Sequence, residues 1–520
     1  MPAATTPTAP DAARHLHGRT LILLSNREPY EHLRNGPAAP VTVRKPAGGL
    51  VSALDPTMRR THGVWVAWGS GDADREAADE AGRLAVPPDD PSYTLRRVWL
   101  DDADVAGFYL GFANSALWPL CHMLIQHFEF RSEHWERYAS VNARFACAVA
   151  DEVDRCDGRP IVWVQDYHFA LVPHMLRSEF APRDRRDSTP VIHQFWHIPF
   201  PPPDIMRMLP HGVYPAVIEG LLGNDLLEFH TERYATNFLN CVADAVPGAE
   251  VDLAARRVHV NGRAVEVGVF PISIDVAQYE ELARSPNGER RARELRERHA
   301  TATPAGHHQL AISVDRVDYT KGIPERLRAL DLLWSETPEL RGRFTFLFVA
   351  TPSRSEIQAY SALAEDVAAT IASINERFGT ASWTPIHYIN ENVDAPTLAA
   401  IYRAADICLV SSLQDGMNLV AKEFIACQVD ECGVLVLSRF AGAAEEIDGA
   451  VLINPFNVDG FARGIRDALA MPLDERRRRM HEMRERLRGA TIFGWLDDIL
   501  SRVATLAPAS DPAHAAATAT

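Results

Sequence analysis

The sequence predicts an α/β protein made of two doubly wound halves of parallel sheet. Three observations carry this. Short apolar runs rich in Val, Ile and Leu recur along the chain, each followed by a polar loop and then a helical pattern. The chain has 520 residues, too many for one core, so two domains are the default. The stretch from Ser411 to Glu423, SSLQDGMNLVAKE, follows the apolar run 407–410 and reads as the strand–loop–helix corner where open α/β sheets bind ligands.

At that corner a helical pattern starts near Asn418. The peptide N–H groups of Met417, Asn418 and Leu419 lack intrahelical partners and suit an anionic or oxygen-rich ligand. Asp415 and Glu423 could accept hydrogen bonds from its hydroxyls. The plainer reading makes Asp415 a helix cap and Glu423 a solvated helix residue.

In chain order, residues 20–24 form the first strand, and Arg27 stands just past its carboxyl end. A surface ion pair is the competing role for Arg27. Gly48 and Gly49 precede a helical segment, where paired glycines let backbone approach a ligand closely. Strands follow at 64–68 and 93–99. The segment 101–125 is aromatic, with Tyr109 and Trp118 more readily core than ligand platform, and a helix runs from about Trp135 to Val153. Strands at 160–164 and 191–196 place Asp166 and His197 just past neighbouring strand ends. Taken singly, Asp166 reads as a cap and His197 as a core histidine; their repetition at strand ends points to one crevice. Strands at 225–229 and 265–270 lead to a domain crossing near Asp275.

The second half opens with a charged helix at 289–299 and a strand at 309–314. Arg316 and Lys321 follow in a loop that enters a helix, where two cations and the helix dipole suit a diphosphate. Two solvated loop cations are the alternative. The strand 344–349 ends at a loop carrying Arg354, and strands at 385–389, 407–410 and 434–437 complete the set. Residues 474–487 read as a solvated Arg/Glu helix face.

Net charge is −16, from 53 basic and 69 acidic residues, which argues against nucleic acid as the partner. The seven cysteines show no zinc spacing and fit reduced thiols in a cytoplasm. No apolar run reaches membrane-spanning length, and residues 1–18 read as a structureless lead without a signal-peptide core. The tail 507–520 reads alike.

The ordered motifs SNR, GGL, LWP, DYH, HIPFP, DRVDYTKGIPER, TPSR, DGMNLVAKE and GVLVLSRFAGAAEE resemble the retaining trehalose-6-phosphate synthases, over about residues 20–506. The resemblance implies a GT-B fold, two Rossmann-like domains facing a central cleft. It implies domains at 19–275 for the acceptor and 276–485 for the nucleotide sugar, and a helix at 486–506 packing back on the first domain. It implies transfer of glucose from a nucleoside diphosphate glucose to glucose 6-phosphate, giving α,α-trehalose 6-phosphate by front-face attack. Arg316 and Lys321 would then hold the donor diphosphate. Asp415 with the backbone from Gly416 to Leu419 would hold the donor glucose, and Glu423 the ribose. His197 would lie near the anomeric centre, and Asp166 would meet acceptor hydroxyls. Arg27 and Arg354 would grip the acceptor phosphate, with Tyr109 and Trp118 walling its sugar. Gly48 and Gly49 would form a loop over the donor phosphates. No metal and no resident cofactor enters that scheme; the partners are small molecules, and a homo-oligomer is compatible with it.

The chain departs from the family pattern at Gln414, where these synthases often carry arginine, and at the Ser pair before it. REPY and the segment 108–135 also resemble glucosylglycerol-phosphate synthases, whose acceptor is glycerol 3-phosphate, whereas the intact GGL favours the trehalose side. His230 stands where some bacterial members have glutamine. A catalytically silent homologue is disfavoured because Arg27, Asp166, His197, Arg316, Lys321, Arg354, Asp415 and Glu423 are all present, and a cyclitol-coupling relative is a further alternative. The base of the donor stays open.

Overall fold

The computed structural model describes residues 12–34, 36, 39–46, 49–181, 189–300, 308–354 and 356–506. Contacts divide the chain into two units. One holds the residues up to Pro271 together with those from Phe493 onward; the other runs from Ile272 to Ile492.

In the first unit the strands are β1 (Leu21–Arg27), β2 (Glu31–Arg34), β3 (Val41–Arg44), β4 (Val64–Trp68), β5 (Arg83–Val86), β6 (Tyr93–Val98), β7 (Ile161–Gln165), β8 (Val191–Phe195), β9 (Leu226–Phe229), β10 (Glu250–Asp252), β11 (Arg257–Val260) and β12 (Arg263–Val269). Ten of them form one sheet in the order β10-β11-β12-β9-β8-β7-β1-β4-β6-β5, while β2 and β3 make a separate hairpin. Pairing is parallel from β12 through β6 and antiparallel only at the edges. The central strands are buried along their length, as in LILL of β1 and IVWVQ of β7. Continuous apolar runs are what a strand covered on both faces requires.

From β1 the chain builds outward through β4 to β6. It then returns to lay β7 on the other side of β1 and continues to β8 and β9. The order therefore reverses between β1 and β7, and the carboxyl ends of these two strands open a crevice. The helix Ser132–Val153 packs over β1, β4 and β6. The aromatic segment before it is a π-helix, Val105–Leu117. Wide turns of this kind are rare and concentrate at functional sites. Gly107 and Gly111 let it pack closely against the helix Ser132–Val153: a Cβ on Gly107 would come within 2.7 Å of the Arg137 side chain, and one on Gly111 within 2.6 Å of the His134 ring.

The lead expected to be structureless through residue 18 instead contains a 3-10 helix, Ala12–Leu16. Arg14 and His15 both reach Asp497, at 2.8 and 2.9 Å, and Leu16 is buried. That anchor lies on the last helix, Ile492–Leu506, which starts later than expected because the preceding helix, Leu473–Arg488, runs on past residue 486. Trp495 of this helix donates to the carbonyl of Phe270 at 3.1 Å and packs against Trp163 and Phe195.

Among the described residues the second unit has six parallel strands: β13 (Gln309–Arg316), β14 (Phe344–Thr351), β15 (Ile386–Ile389), β16 (Ile407–Val410), β17 (Val434–Ser438) and β18 (Val451–Ile453), in the order β15-β14-β13-β16-β17-β18. Here the reversal falls between β13 and β16. Strand β13 extends two residues beyond the sequence expectation, so Arg316 is the last strand residue, paired in register with Thr351, and not a loop residue.

The loops after β13 and β16 are joined at backbone level. The N–H of Leu413 donates to the carbonyl of Thr320 at 2.7 Å, and the Ser411 hydroxyl donates to the carbonyl of Lys321 at 3.0 Å. Gly322 makes this approach possible. It has φ of 61°, and a Cβ there would sit 2.2 Å from the carbonyl oxygen of Ser411.

Candidate active site

In the first unit the expected residues gather at the carboxyl ends of β1, β4, β7 and β8. Arg27 ends β1 and is exposed; the Ser25 hydroxyl donates to its carbonyl at 2.7 Å. It stands in register with Trp68 at the end of β4. The Trp68 ring lies 6.1 Å from Tyr109, and Tyr109 stacks on His168 at 5.8 Å. Trp118 lies 5.8 Å from Tyr167. Asn114 ties this aromatic wall together, accepting from the Tyr167 hydroxyl at 2.8 Å and donating to the Tyr109 carbonyl at 2.7 Å. The π-helix and the short helix Trp118–Cys121 that continues it thus present Tyr109 and Trp118 against the loop after β7.

Asp166 opens that loop with φ of 69° and ψ of 177°, a backbone conformation sparsely populated outside glycine. Its N–H donates to the Phe195 carbonyl at 2.7 Å, and its carbonyl accepts from Gln194 at 3.0 Å. Its carboxylate accepts from the N–H of His197 at 3.2 Å. His197 pairs through Nε2 with the Gln165 amide oxygen at 2.9 Å and lies against Phe195, His230 and Trp495. Burial pushes its pKa down to about 3, so the imidazole is neutral.

Behind Arg27 sits a fully buried charge cluster that the sequence reading missed. Arg97 meets Glu28 and Asp74, each at 2.7 Å, and donates to the carbonyl of Tyr30 at 2.9 Å. Burial, then the neighbouring Asp74, raises the Glu28 pKa well above the ordinary carboxylate range, while Asp74 falls below it. One arginine facing two carboxylates leaves one proton for the pair.

In the second unit Lys321 Nζ lies 2.6 Å from Asp415 Oδ2. That oxygen also accepts from the Ser412 hydroxyl at 2.9 Å and the Asn418 amide at 3.1 Å. The helix starts at Leu419, and its cap is Asn418, whose side chain accepts from the N–H of Ala421 at 3.2 Å. Asp415 therefore does not cap the helix. Asn418 has φ of 84°, and Gly416 is packed so closely that a Cβ on Gly442 would come 2.0 Å from its carbonyl oxygen. Met417 is buried, its carbonyl accepting from Ala443 at 2.8 Å. Glu423 is not a freely solvated helix residue. Its two oxygens accept from the hydroxyls of Tyr279 and Tyr402, both at 2.8 Å. Burial raises its pKa, the tyrosine bonds opposing that rise.

Arg316 and Arg354 flank one residue that the sequence reading passed over, Asp318. Its Oδ2 lies 3.8 Å from Arg316 and 3.6 Å from Arg354. Burial alone would raise its pKa, but Arg316, Arg354 and Lys321 overcome this and hold it below the ordinary value. Arg354 has φ of 45° and donates to the Tyr360 hydroxyl at 2.7 Å. Asp318 and His168 lie inside the motifs DRVDYTKGIPER and DYH without being singled out there; Tyr279 and Tyr402 carried no sequence signal.

Of the glycine pair, Gly49 begins the helix Gly49–Thr61, and Gly48 lies outside the described residues. Among the described residues no group of three or more His, Cys, Asp or Glu is placed to hold a metal ion.

A family model described as Glycosyltransferase family 20 matches residues 19–505. The chain is 38% identical to a trehalose-6-phosphate synthase of Mycolicibacterium vanbaalenii over 497 residues, 94% of this chain and 97% of that protein. Two solved structures each match with a TM-score of 0.79, at 31% identity, over 93% of this chain and 99% of theirs. One is the E. coli protein described as trehalose-6-phosphate bound with UDP-2-fluoro glucose. The other is an α,α-trehalose-phosphate synthase (UDP-forming) from Burkholderia xenovorans in complex with glucose-6-phosphate. The two doubly wound units are those of the GT-B fold.

Proposed function

The chain belongs to glycosyltransferase family 20, and we propose that it moves glucose from UDP-glucose to glucose 6-phosphate with retention, forming α,α-trehalose 6-phosphate. The observation that carries this reading is the cluster in the second unit. Arg316, Lys321 and Arg354 gather at the carboxyl ends of β13, β14 and β16, around Asp318 and Asp415. Such a group of cations at a sheet reversal suits phosphorylated substrates.

In this reading Arg316 and Lys321 hold the donor diphosphate. Asp415 and the backbone from Gly416 to Leu419 hold the donor glucose. Glu423, its oxygens aimed by Tyr279 and Tyr402, accepts from the ribose. The Gly48–Gly49 pair is assigned to the donor phosphates from its sequence motif alone, Gly48 lying outside the described residues. Arg27 and Arg354 grip the acceptor phosphate, Tyr109 and Trp118 face its sugar, and Asp166 accepts from its hydroxyls. His197, neutral at working pH, contacts the transferred sugar by hydrogen bonding and packing and does not act as an imidazolium.

The bond from the anomeric carbon to the β-phosphate oxygen breaks, and the acceptor's anomeric hydroxyl oxygen bonds to that carbon on the same face. Its proton passes to the departing phosphate. Negative charge grows on that phosphate as it leaves, and Arg316 and Lys321 lower the barrier by meeting it with fixed positive charge. No side-chain nucleophile is needed. The nucleotide sugar is a co-substrate, and the scheme calls for no resident cofactor. Among the described residues no helix is long and apolar enough to cross a membrane. The seven cysteines are free thiols, which fits a reducing cytoplasm.

The test is acceptor-dependent release of nucleoside diphosphate. UDP-, GDP- and ADP-glucose are each offered with glucose 6-phosphate or glycerol 3-phosphate. The pair UDP-glucose and glucose 6-phosphate should turn over fastest; preference for glycerol 3-phosphate would move the assignment to the sister activity.

A further inference from the structure

The geometry points to Asp318 as a positioning residue that serves both substrates, its buried carboxylate holding the donor cation Arg316 and the acceptor cation Arg354 in place. This rests on the reading that those two arginines meet the two phosphorylated substrates.

The Asp318 side chain is wholly buried. Its Oδ1 does local work, accepting from the Thr320 N–H at 3.0 Å and the Thr320 hydroxyl at 2.9 Å. That alone caps the turn Tyr319–Lys321, and an asparagine oxygen could do the same. Oδ2 is a different matter. It is buried with no hydrogen-bond partner among the described residues. A buried carboxylate oxygen without a hydrogen bond persists only where charge compensates it. Here the compensation comes from Arg316 at 3.8 Å, the last residue of β13, and Arg354 at 3.6 Å, in the loop after the adjacent β14. These are ion pairs beyond hydrogen-bond range.

The arrangement runs both ways. Three cations crowded at the carboxyl ends of one sheet repel each other; Asp415 pairs with Lys321, and Asp318 is the carboxylate that faces both guanidinium groups and draws them together before any phosphate arrives. Arg354 needs such a hold, since its own backbone adopts a conformation unusual for a side chain of that size. Removing the charge therefore loosens both arginines together, although each meets a different substrate.

The test compares Asp318→Asn with Arg316→Ala and Arg354→Ala. UDP alone is titrated by calorimetry, and the KM for glucose 6-phosphate is measured separately. Arg316→Ala should weaken UDP binding, and Arg354→Ala should raise the acceptor KM. Asp318→Asn should do both, about tenfold each. In the Arg354→Ala background, Asp318→Asn should no longer raise the acceptor KM but should still weaken UDP binding. General damage to the fold would add in both backgrounds and would overturn the proposal. So would an unchanged UDP affinity or an unchanged acceptor KM in Asp318→Asn while the two arginine variants behave as stated. If Arg316→Ala kept full UDP affinity, the donor assignment would fail instead. Should Asp318→Asn not fold, Thr320→Val, which removes one tether on Oδ1, is expected to give the same double effect at a few-fold; an effect on neither constant contradicts it.

Discussion

Lys321 and Asp415 form a 2.6 Å ion pair that joins the loop after β13 to the loop after β16, across the point where the strand order of the second sheet reverses. Both side chains are largely buried, at 13% and 14% exposure, so the pair holds the lysine in place, and in the proposed reading that lysine meets the leaving phosphate.

Lys321→Ala should therefore lower kcat about 100-fold or more, the usual cost of removing one preorganised electrostatic stabiliser. Asp415 keeps its bonds to Ser412 and Asn418, so stability should fall by only about 1–3 kcal/mol. Steady-state rates and a thermal melt check this. Near-normal turnover would remove the lysine from the chemistry.

Arg354→Ala should raise the KM for glucose 6-phosphate roughly 10- to 100-fold, as expected for a lost charge-assisted hydrogen bond. UDP affinity should stay unchanged. An unaltered acceptor KM would place the phosphate elsewhere.

The His197 pKa, pushed to about 3 by burial, has a consequence for pH profiles. A lowered histidine stays neutral throughout the working range, so kcat/KM between about pH 5 and pH 8 should show no break due to this ring. A break near pH 6.5 in the wild type that disappears in His197→Gln contradicts this.

Glu28 gives a stability prediction with a definite sign. Its raised pKa means that the folded state holds a proton which the unfolded chain releases above about pH 4. The stabilisation is fully present below that pH and is lost as pH rises through the folded value. The wild-type Tm should accordingly fall from pH 6 to pH 9 relative to Glu28→Gln, which mimics the protonated form. Parallel curves for the two proteins would show that Glu28 is charged throughout.

Much of this fold is legible in the sequence because its central strands are buried on both faces. Runs such as those in β1, β7, β8 and β14 can hardly read as anything else. The edge strands β5, β10 and β11 and the hairpin β2–β3 are only three or four residues long and mostly polar or half-exposed, too short for a period to mark them. The π-helix Val105–Leu117 escapes notice because its turn is wider than the 3.6-residue period that helical patterns follow.

Among site residues, those at strand ends are visible from position alone: Arg27, Asp166, His197 and Arg354. What makes them a site is not. The left-handed backbone of Asp166, Arg354 and Asn418 is a tertiary property. So is the convergence of two arginines on Asp318, since an acid inside a basic loop reads as ordinary charge balance. Glu423 resembles any helix-surface glutamate until Tyr279 and Tyr402 arrive from elsewhere in the chain.

The most direct measurement is proton NMR of the product made from UDP-glucose and glucose 6-phosphate. Fixed cations that let the phosphate leave, with attack on the face it vacates and no covalent stop on the protein, predict a disaccharide phosphate whose two anomeric protons are both α. A β signal from the transferred glucose, or a glucosyl group trapped on a side chain, would contradict the account.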